Sequence, residues 1–219
     1  RGAMRMGIFS GPDGATPEEL VATVAQSPVM LGASYTDQVS TAKSYVIAAS
    51  GQKKATCVAV DFGIKSMTPQ LLSQRGIEVH VVNANTSWEE IAALKPNGIF
   101  LSNGPGDPAS AVDAVGLVQK ALKAKMPLFG ICFGNQILGR ALGLDTYKMQ
   151  YGHRGINQPV KDLTTGKVEI TAHNHGFAVR APNSRDFDTP FGRARISHIC
   201  LNDNVVEGIE LLDLNAFSV

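Results

Sequence analysis

The sharpest chemical signal in the chain is Gly130-Ile131-Cys132-Phe133-Gly134, set between an apolar run and a helical segment. It is the cysteine version of the Gly-x-Ser-x-Gly elbow, which holds a nucleophile on a tight strand-to-helix turn. A side chain at either glycine would crowd that turn. The cysteine sulfur is then exposed at a sheet edge, at a helix N-terminus whose partial positive charge favours the thiolate. Backbone N–H groups of the same turn can serve an oxyanion. A buried cysteine between packing glycines is the structural alternative. The agreement of strand, elbow and helix favours Cys132 as nucleophile.

A second segment, Ser102-Asn103-Gly104-Pro105-Gly106-Asp107-Pro108, leaves a neighbouring strand at the same edge. The Gly104 N–H could face a substrate carbonyl across from Cys132. Taken alone, the segment is equally a tight loop. The third is Thr171-Ala172-His173-Asn174-His175-Gly176-Phe177. Its histidines at i and i+2 could ligate a metal, but no third ligand stands at a recognisable spacing. It therefore reads as a polar loop presenting Asn174 to substrate, with no metal expected. His80, His153, His173, His175 and His198 are the candidate general bases. None is closely followed by an orienting acid, so local sequence does not choose among them. Cys57 and Cys200 alternate with apolar residues and read as core. Asp61-Phe62-Gly63 matches a kinase magnesium motif only as a string.

The elements that must position these residues follow from residue 55 onward. Apolar runs at Thr56–Val60, Ile77–Val82, Ile99–Ser102 and Pro127–Ile131 alternate with helical spacing at Met67–Arg75, Ser87–Leu94, Ala111–Ala124 and Asn135–Leu142. Such alternation predicts a parallel sheet covered on both faces, with ligands at the carboxyl ends of the strands. The two glycine-rich loops, 102–108 and 130–136, fall there. After residue 150 the pattern changes to strands at Lys167–Ala172, Ala194–Leu201 and Val205–Leu212, with a hairpin turn at Asn202-Asp203-Asn204. The expected fold class is α/β: three-layer αβα, a mostly parallel, flavodoxin-like sheet and a C-terminal β-hairpin region. Residues 1–51 look different. Thr16-Pro17-Glu18-Glu19 opens a short helix with a capping box, and Gly51–Lys54 reads as a solvated linker.

Composition excludes several classes. Twenty Lys+Arg against nineteen Asp+Glu leave a net charge of +1, with no footprint for nucleic acid or an anionic membrane. The single Trp88 and nine Phe make no stacking platform for single strands. No apolar run nears the roughly 20 residues of a membrane helix. Three scattered cysteines form no Cys-x-x-Cys pair, which argues against a disulfide scaffold and for a reducing, cytoplasmic compartment.

Five blocks occur in one order: Asp61–Lys65, Leu101–Pro108, Phe129–Gln136, Tyr151–Gly155 and His173–Val179. Together they resemble the small, glutamine-hydrolysing subunits of carbamoyl-phosphate synthetases, whose C-terminal half is a class I glutamine amidotransferase domain. The resemblance covers about residues 55 to 219. It makes 52–219 the amidotransferase domain and 1–51 a remnant of an N-terminal domain with its linker. It implies Cys132 as nucleophile on the glutamine side-chain amide, and a γ-glutamyl thioester as intermediate. Gly104 and Phe133 would supply the oxyanion hole, and would bind substrate together with Gly106, Gln136, Asn174, Gly176 and Phe177. Ammonia would pass to a large synthetase subunit that uses bicarbonate and ATP, feeding pyrimidine and arginine synthesis. No cofactor is expected in this chain, with ATP and Mg on the partner, in a heterodimer.

Where many members carry Leu-Gly-His-Gln after the cysteine, this chain has Phe133-Gly134-Asn135-Gln136. The Phe133 side chain is expected to be free to vary, since only its N–H serves. The resemblance places the base and its orienting acid in a His-Pro-Glu segment after a Phe-Ser-Val strand. The sequence runs to Ala216-Phe217-Ser218-Val219, so the domain is expected to be truncated before that segment, and the 219 residues alone to show little glutaminase activity. Two alternatives stay open: an inactive, amidotransferase-like partner-binding fragment, or another cysteine hydrolase of the same fold.

Overall fold

A computed structural model describes residues 4–10 and 14–219. In chain order the elements are α1 (Pro17–Gln26), α2 (Thr36–Val39), β1 (Tyr45–Ile47), β2 (Ala55–Asp61), α3 (Met67–Ser73), β3 (Ile77–Asn83), α4 (Trp88–Ala93), β4 (Gly98–Leu101), α5 (Val112–Lys123), β5 (Leu128–Gly130), α6 (Phe133–Ala141), β6 (Thr146–Asp162), β7 (Val168–Val179), β8 (Asp186–Thr189), β9 (Gly192–Cys200), β10 (Val206–Leu211) and β11 (Ala216–Ser218).

Among the described residues, the strands form one sheet in the order β1-β3-β2-β4-β5-β11-β10-β7-β6-β9-β8. The stretch β3-β2-β4-β5-β11 is parallel throughout. Everything attached to it is antiparallel: β1 on one side, and on the other side β10, β7, β6, β9 and β8. The fold is therefore a mixed α/β sheet rather than the mostly parallel one expected. The difference lies mainly in β6 and β7, a long antiparallel ribbon with bulges between Lys148 and His153 and between Gly155 and Gln158. Glycines 152 and 155 and Pro159 break the period-two signal of β6, and most of its residues are at least partly exposed, so no apolar run marks it. The segment 171–177, read as a loop, lies inside β7.

The parallel half follows its sequence closely. Alternate residues of β2 face opposite sides. Val58 and Val60 enter a core built with Ile91 of α4, Leu117 and Val118 of α5, and Ile137 and Leu138 of α6. Ala59 joins Val79, Val81 and Phe100 on the other face, beneath Leu72 of α3. Burying such a side chain contributes about 1.5–3 kcal/mol. Ser87 caps α4 through the anticipated box, accepting from the Glu90 N–H while Glu90 accepts from the Ser87 N–H. Thr16 and Glu19 do the same for α1.

The region before residue 51 is stitched to the sheet. β1 pairs with β3, Ser34 bridges Gly106, and the Gly32 N–H donates to Asp107 Oδ2 at 2.8 Å. The Asp61-Phe62-Gly63 string is a turn: Asp61 Oδ1 accepts from the N–H groups of Gly63 and Ile64, and Oδ2 from that of Thr41.

Candidate active site

Cys132 sits between β5 and α6 with φ 56° and ψ −104°, a conformation that a non-glycine residue holds only under constraint. The constraint is visible. The Ile131 N–H donates to Leu101 O at 3.0 Å, the Cys132 N–H to Val219 O at 2.8 Å, and the Val219 N–H to Gly130 O at 2.9 Å. Neighbouring strands thus clamp the elbow from both sides. The flanking glycines leave no room. A Cβ on Gly130 would stand 2.7 Å from the carbonyl carbon of Gly134, and one on Gly134 would stand 2.8 Å from Leu101 Cβ. The elbow geometry read from the sequence is present. Helix α6 begins at Phe133, two residues earlier than its periodicity suggested.

Family resemblance gives the Gly104 and Phe133 amides to the substrate oxyanion. Backbone N–H groups of Phe133 and Gly104 face the Cys132 sulfur and favour its charged form. Burial outweighs them, the Glu207 carboxylate adds to burial, and Lys65 offsets only part. The thiol is held above its ordinary value. The helix N-terminus alone therefore does not yield the thiolate expected from sequence. Among the described residues, no histidine hydrogen-bonds to the sulfur.

Cys132 opens into a cavity of about 510 Å³ lined also by His173, Asn174, His175, His198, Glu207 and Val219. Asn174 is exposed toward that space. The other sequence-predicted residues do structural work. Gln136 is 5 % exposed, and its Nε2 donates to Phe177 O at 2.7 Å, tying α6 to β7. Phe177 is buried beneath Lys148, whose Nζ lies 5.7 Å from the ring centroid. Gly106 has φ 100°, and a Cβ there would stand 2.8 Å from Ala33 O, so it docks the preceding segment. Gly176 lies against the Arg154 and Lys148 side chains. Gly104 is pressed onto Phe62, whose Cβ a Gly104 Cβ would meet at 2.7 Å. The Phe133 side chain is not free to vary: it is 2 % exposed and packs edge-on against Phe62, ring centroids 5.5 Å apart. Asn135 is likewise buried, accepting from Ser218 Oγ at 2.8 Å.

The histidines divide into two sets. His80 bonds Glu78 at 2.9 Å and His198 bonds Ser197 Oγ at 2.9 Å. His153, His173 and His175 instead converge on Glu207. Burial pulls the His173 pKa down. Burial opposes the charged form of His175 too, but the Glu207 carboxylate and the Phe177 carbonyl together outweigh it and raise its pKa. Sequence reasoning did not single out Glu207, one of two acids in the largely apolar strand Val205–Leu212, and that mismatch was the available signal. Cys57 is packed away, and burial pushes its thiol up to about 12; Cys200 is buried.

With this geometry in view, likeness to known proteins becomes informative. A profile of the class-I glutamine amidotransferases matches residues 58–219. The chain belongs to the class-I glutamine amidotransferase family. It is 60% identical over 221 residues to the carbamoyl phosphate synthase small chain of Streptomyces coelicolor, and 54% identical over 222 residues to that of Mycobacterium tuberculosis. All of this chain is covered in both matches, but it spans only 58% and 59% of the lengths of those relatives. Two solved amidotransferases share the fold. One is from Thermotoga maritima, with TM-score 0.53, 16% identity, and 75% of this chain and 74% of that one covered. The other is from Methylobacillus flagellatus, with TM-score 0.52, 14% identity, and 76% and 68% covered. No helix of the described residues is long and apolar enough to cross a membrane.

Proposed function

We propose that the chain carries the glutaminase site of a carbamoyl-phosphate synthetase small chain. The observation that carries this reading is Cys132 on a clamped elbow with the Phe133 and Gly104 amides at its sulfur, in a chain of this family. The sulfur attacks the side-chain amide carbon of glutamine. The amides of Gly104 and Phe133 take up the oxyanion charge. Collapse breaks the C–N bond, leaves a γ-glutamyl thioester on Cys132, and releases ammonia once the thiol proton has reached the leaving nitrogen. Water then cleaves the thioester to glutamate and restores the thiol. Asn174 contacts glutamine directly. Gly106, Gln136, Gly176 and Phe177, assigned to substrate by family resemblance, shape its pocket through packing. The proton carrier is the histidine of a His-Pro-Glu segment, a string absent from these 219 residues.

Ammonia passes to a large synthetase subunit that forms carbamoyl phosphate from bicarbonate and ATP with Mg, in the cytoplasm, for pyrimidine and arginine synthesis. The parallel order β3-β2-β4-β5-β11 supports a flavodoxin-like layer beneath the site.

The test pairs the full-length chain with its synthetase partner and follows carbamoyl phosphate formed from glutamine or from added ammonia. Cys132→Ala should abolish the glutamine-dependent rate and spare the ammonia-dependent one. Glutamine-dependent synthesis surviving in Cys132→Ala would sink the assignment. Hydrolysis of γ-glutamyl peptides without any partner would favour another cysteine hydrolase of this fold.

A further inference from the structure

The sequence offers His173 and His175 without a third ligand. The fold supplies the rest: His153 from β6 and Glu207 from β10 bring ligand atoms that, with theirs, all lie within 4.8 Å of one another. His173 Nδ1 and His175 Nε2 are 3.3 Å apart, and each is 3.5 Å from Glu207 Oε1. Four ligands at about 2.0–2.1 Å around a tetrahedral zinc stand about 3.3–3.4 Å from one another. The three measured edges match that triangle. The fourth ligand, His153 Nδ1, stands 2.8 Å from Glu207 Oε1, and a small carboxylate rotation lengthens that edge.

The outward nitrogens fix which lone pairs face inward. Thr171 Oγ1 donates its proton to Gln158 O at 3.0 Å, so at 2.8 Å it accepts from His173 Nε2–H, leaving Nδ1 bare. Phe177 O can only accept, so His175 carries its proton on Nδ1 at 2.9 Å and Nε2 is bare. Asp203 Oδ2 takes the His153 Nε2–H at 2.8 Å, so a cation at Nδ1 would replace the proton that Nδ1 otherwise donates to Glu207 at 2.8 Å. Two imidazole lone pairs, His153 Nδ1 and a carboxylate oxygen thus face one small volume, and a cation between them would satisfy all four. A hydroxyl, a carbonyl and a carboxylate holding the far nitrogens is the outer shell that metal-bound histidines carry.

We infer that His153, His173, His175 and Glu207 form a binding site for a divalent transition metal of the zinc type, on the wall of the cavity that holds Cys132. Three imidazoles and one carboxylate suit zinc over calcium or magnesium, which take oxygen ligands. The side chains are about a tenth exposed, so an ion can enter from the cavity and stay partly shielded.

The experiment uses the full-length chain, stripped with a chelator, loaded with zinc and passed through gel filtration. Bound zinc is counted by mass spectrometry, and affinity is measured against a chromophoric chelator. One zinc per chain is expected, with nitrogen and oxygen neighbours and no sulfur by X-ray absorption. Asp203→Asn keeps all four ligands and should weaken binding about 10–100-fold. His173→Gln combined with Glu207→Gln should abolish it. Should that double variant fail to fold by circular dichroism, Asp203→Asn, altering a half-exposed side chain, still decides. Zinc absent from the wild type, held through sulfur, or held equally by Asp203→Asn would each overturn the inference. In the first case the proton between His153 Nδ1 and Glu207 would stand in the cation's place.

Discussion

Replacing Gly134 by alanine isolates the steric logic of the elbow. Gly134 has an ordinary helical φ, so alanine carries no backbone penalty there. Its Cβ would stand 2.8 Å from Leu101 Cβ and closer still to Leu101 O, in a central strand with no freedom to retreat. To regain ordinary contact, the start of α6 must back away by about an ångström. Overpacking of this kind costs about 1–3 kcal/mol, and the helix preference of alanine over glycine returns at most about 1 kcal/mol. The net loss is about 1–2 kcal/mol, worth roughly 2–4 °C per kcal/mol for a domain of this size. The same shift moves the Phe133 N–H away from the sulfur. Misplacement by about an ångström costs about 100-fold in reactivity. The assay is alkylation of Cys132 by an electrophilic glutamine analogue, alongside thermal unfolding, in the full-length chain. Gly116→Ala in α5 is the control, since its Cβ would meet nothing within 4 Å and should stabilise. If Gly134→Ala melts and alkylates like Gly116→Ala, the reasoning about the elbow fails.

Other expectations follow from single contacts. Cys132→Gly should raise stability by about 1 kcal/mol by relieving the positive φ, as measured by denaturant midpoint, while removing the nucleophile. Because burial and Glu207 raise the Cys132 thiol, its alkylation rate should keep climbing with pH beyond the ordinary thiol range of about 8.5, and Glu207→Gln should speed it at neutral pH. An early plateau would contradict this. Gln136→Leu should remove one of the two bonds to Phe177 O, leaving that from His175 Nδ1, and cost about 0.5–1.5 kcal/mol of stability; a higher KM for glutamine with unchanged melting would make Gln136 a substrate ligand instead. Asp186 is held down to about 2 by its paired bonds from Arg195, so its contribution is present above the ordinary carboxylate value near 4 and is lost as pH falls toward 2. Arg195→Gln should flatten that limb of an acid unfolding curve.

The parallel half was legible because β2 to β5 are short, largely buried apolar runs, and α3, α4 and α6 are announced by a cap or a glycine stop. The elbow was legible for the same reason: its two glycines and cysteine obey a steric rule that spacing alone exposes. The antiparallel half was not. β6 mixes glycine, proline and charge, and its pairing with β7 is set by a partner strand rather than by its own pattern. Phe133 misled because only its amide was considered, whereas Phe62 fills the space beside its ring. Gln136 and Phe177 were assigned to substrate through family resemblance, and the bond between Gln136 Nε2 and Phe177 O is set by packing of α6 on β7, which no local pattern announces. The histidine cluster stayed hidden since its members come from β6, β7 and β10, and only their pairing across the sheet makes them neighbours.

The clamp on Cys132 also bears on how the molecule folds. The strand that locks the elbow, β11, lies between β5 and β10, and Ser218 reaches Asn135 across 83 residues of sequence. Closing so long a loop carries an entropic cost and slows folding. The nucleophile is therefore shaped by contacts between parts of the chain far apart in sequence. Without β11 in place, β5 is an unpaired edge of apolar residues, open to pairing with another molecule. A chain caught at that stage would carry the whole glycine-flanked motif, yet neither a nucleophile in its working conformation nor protection from aggregation.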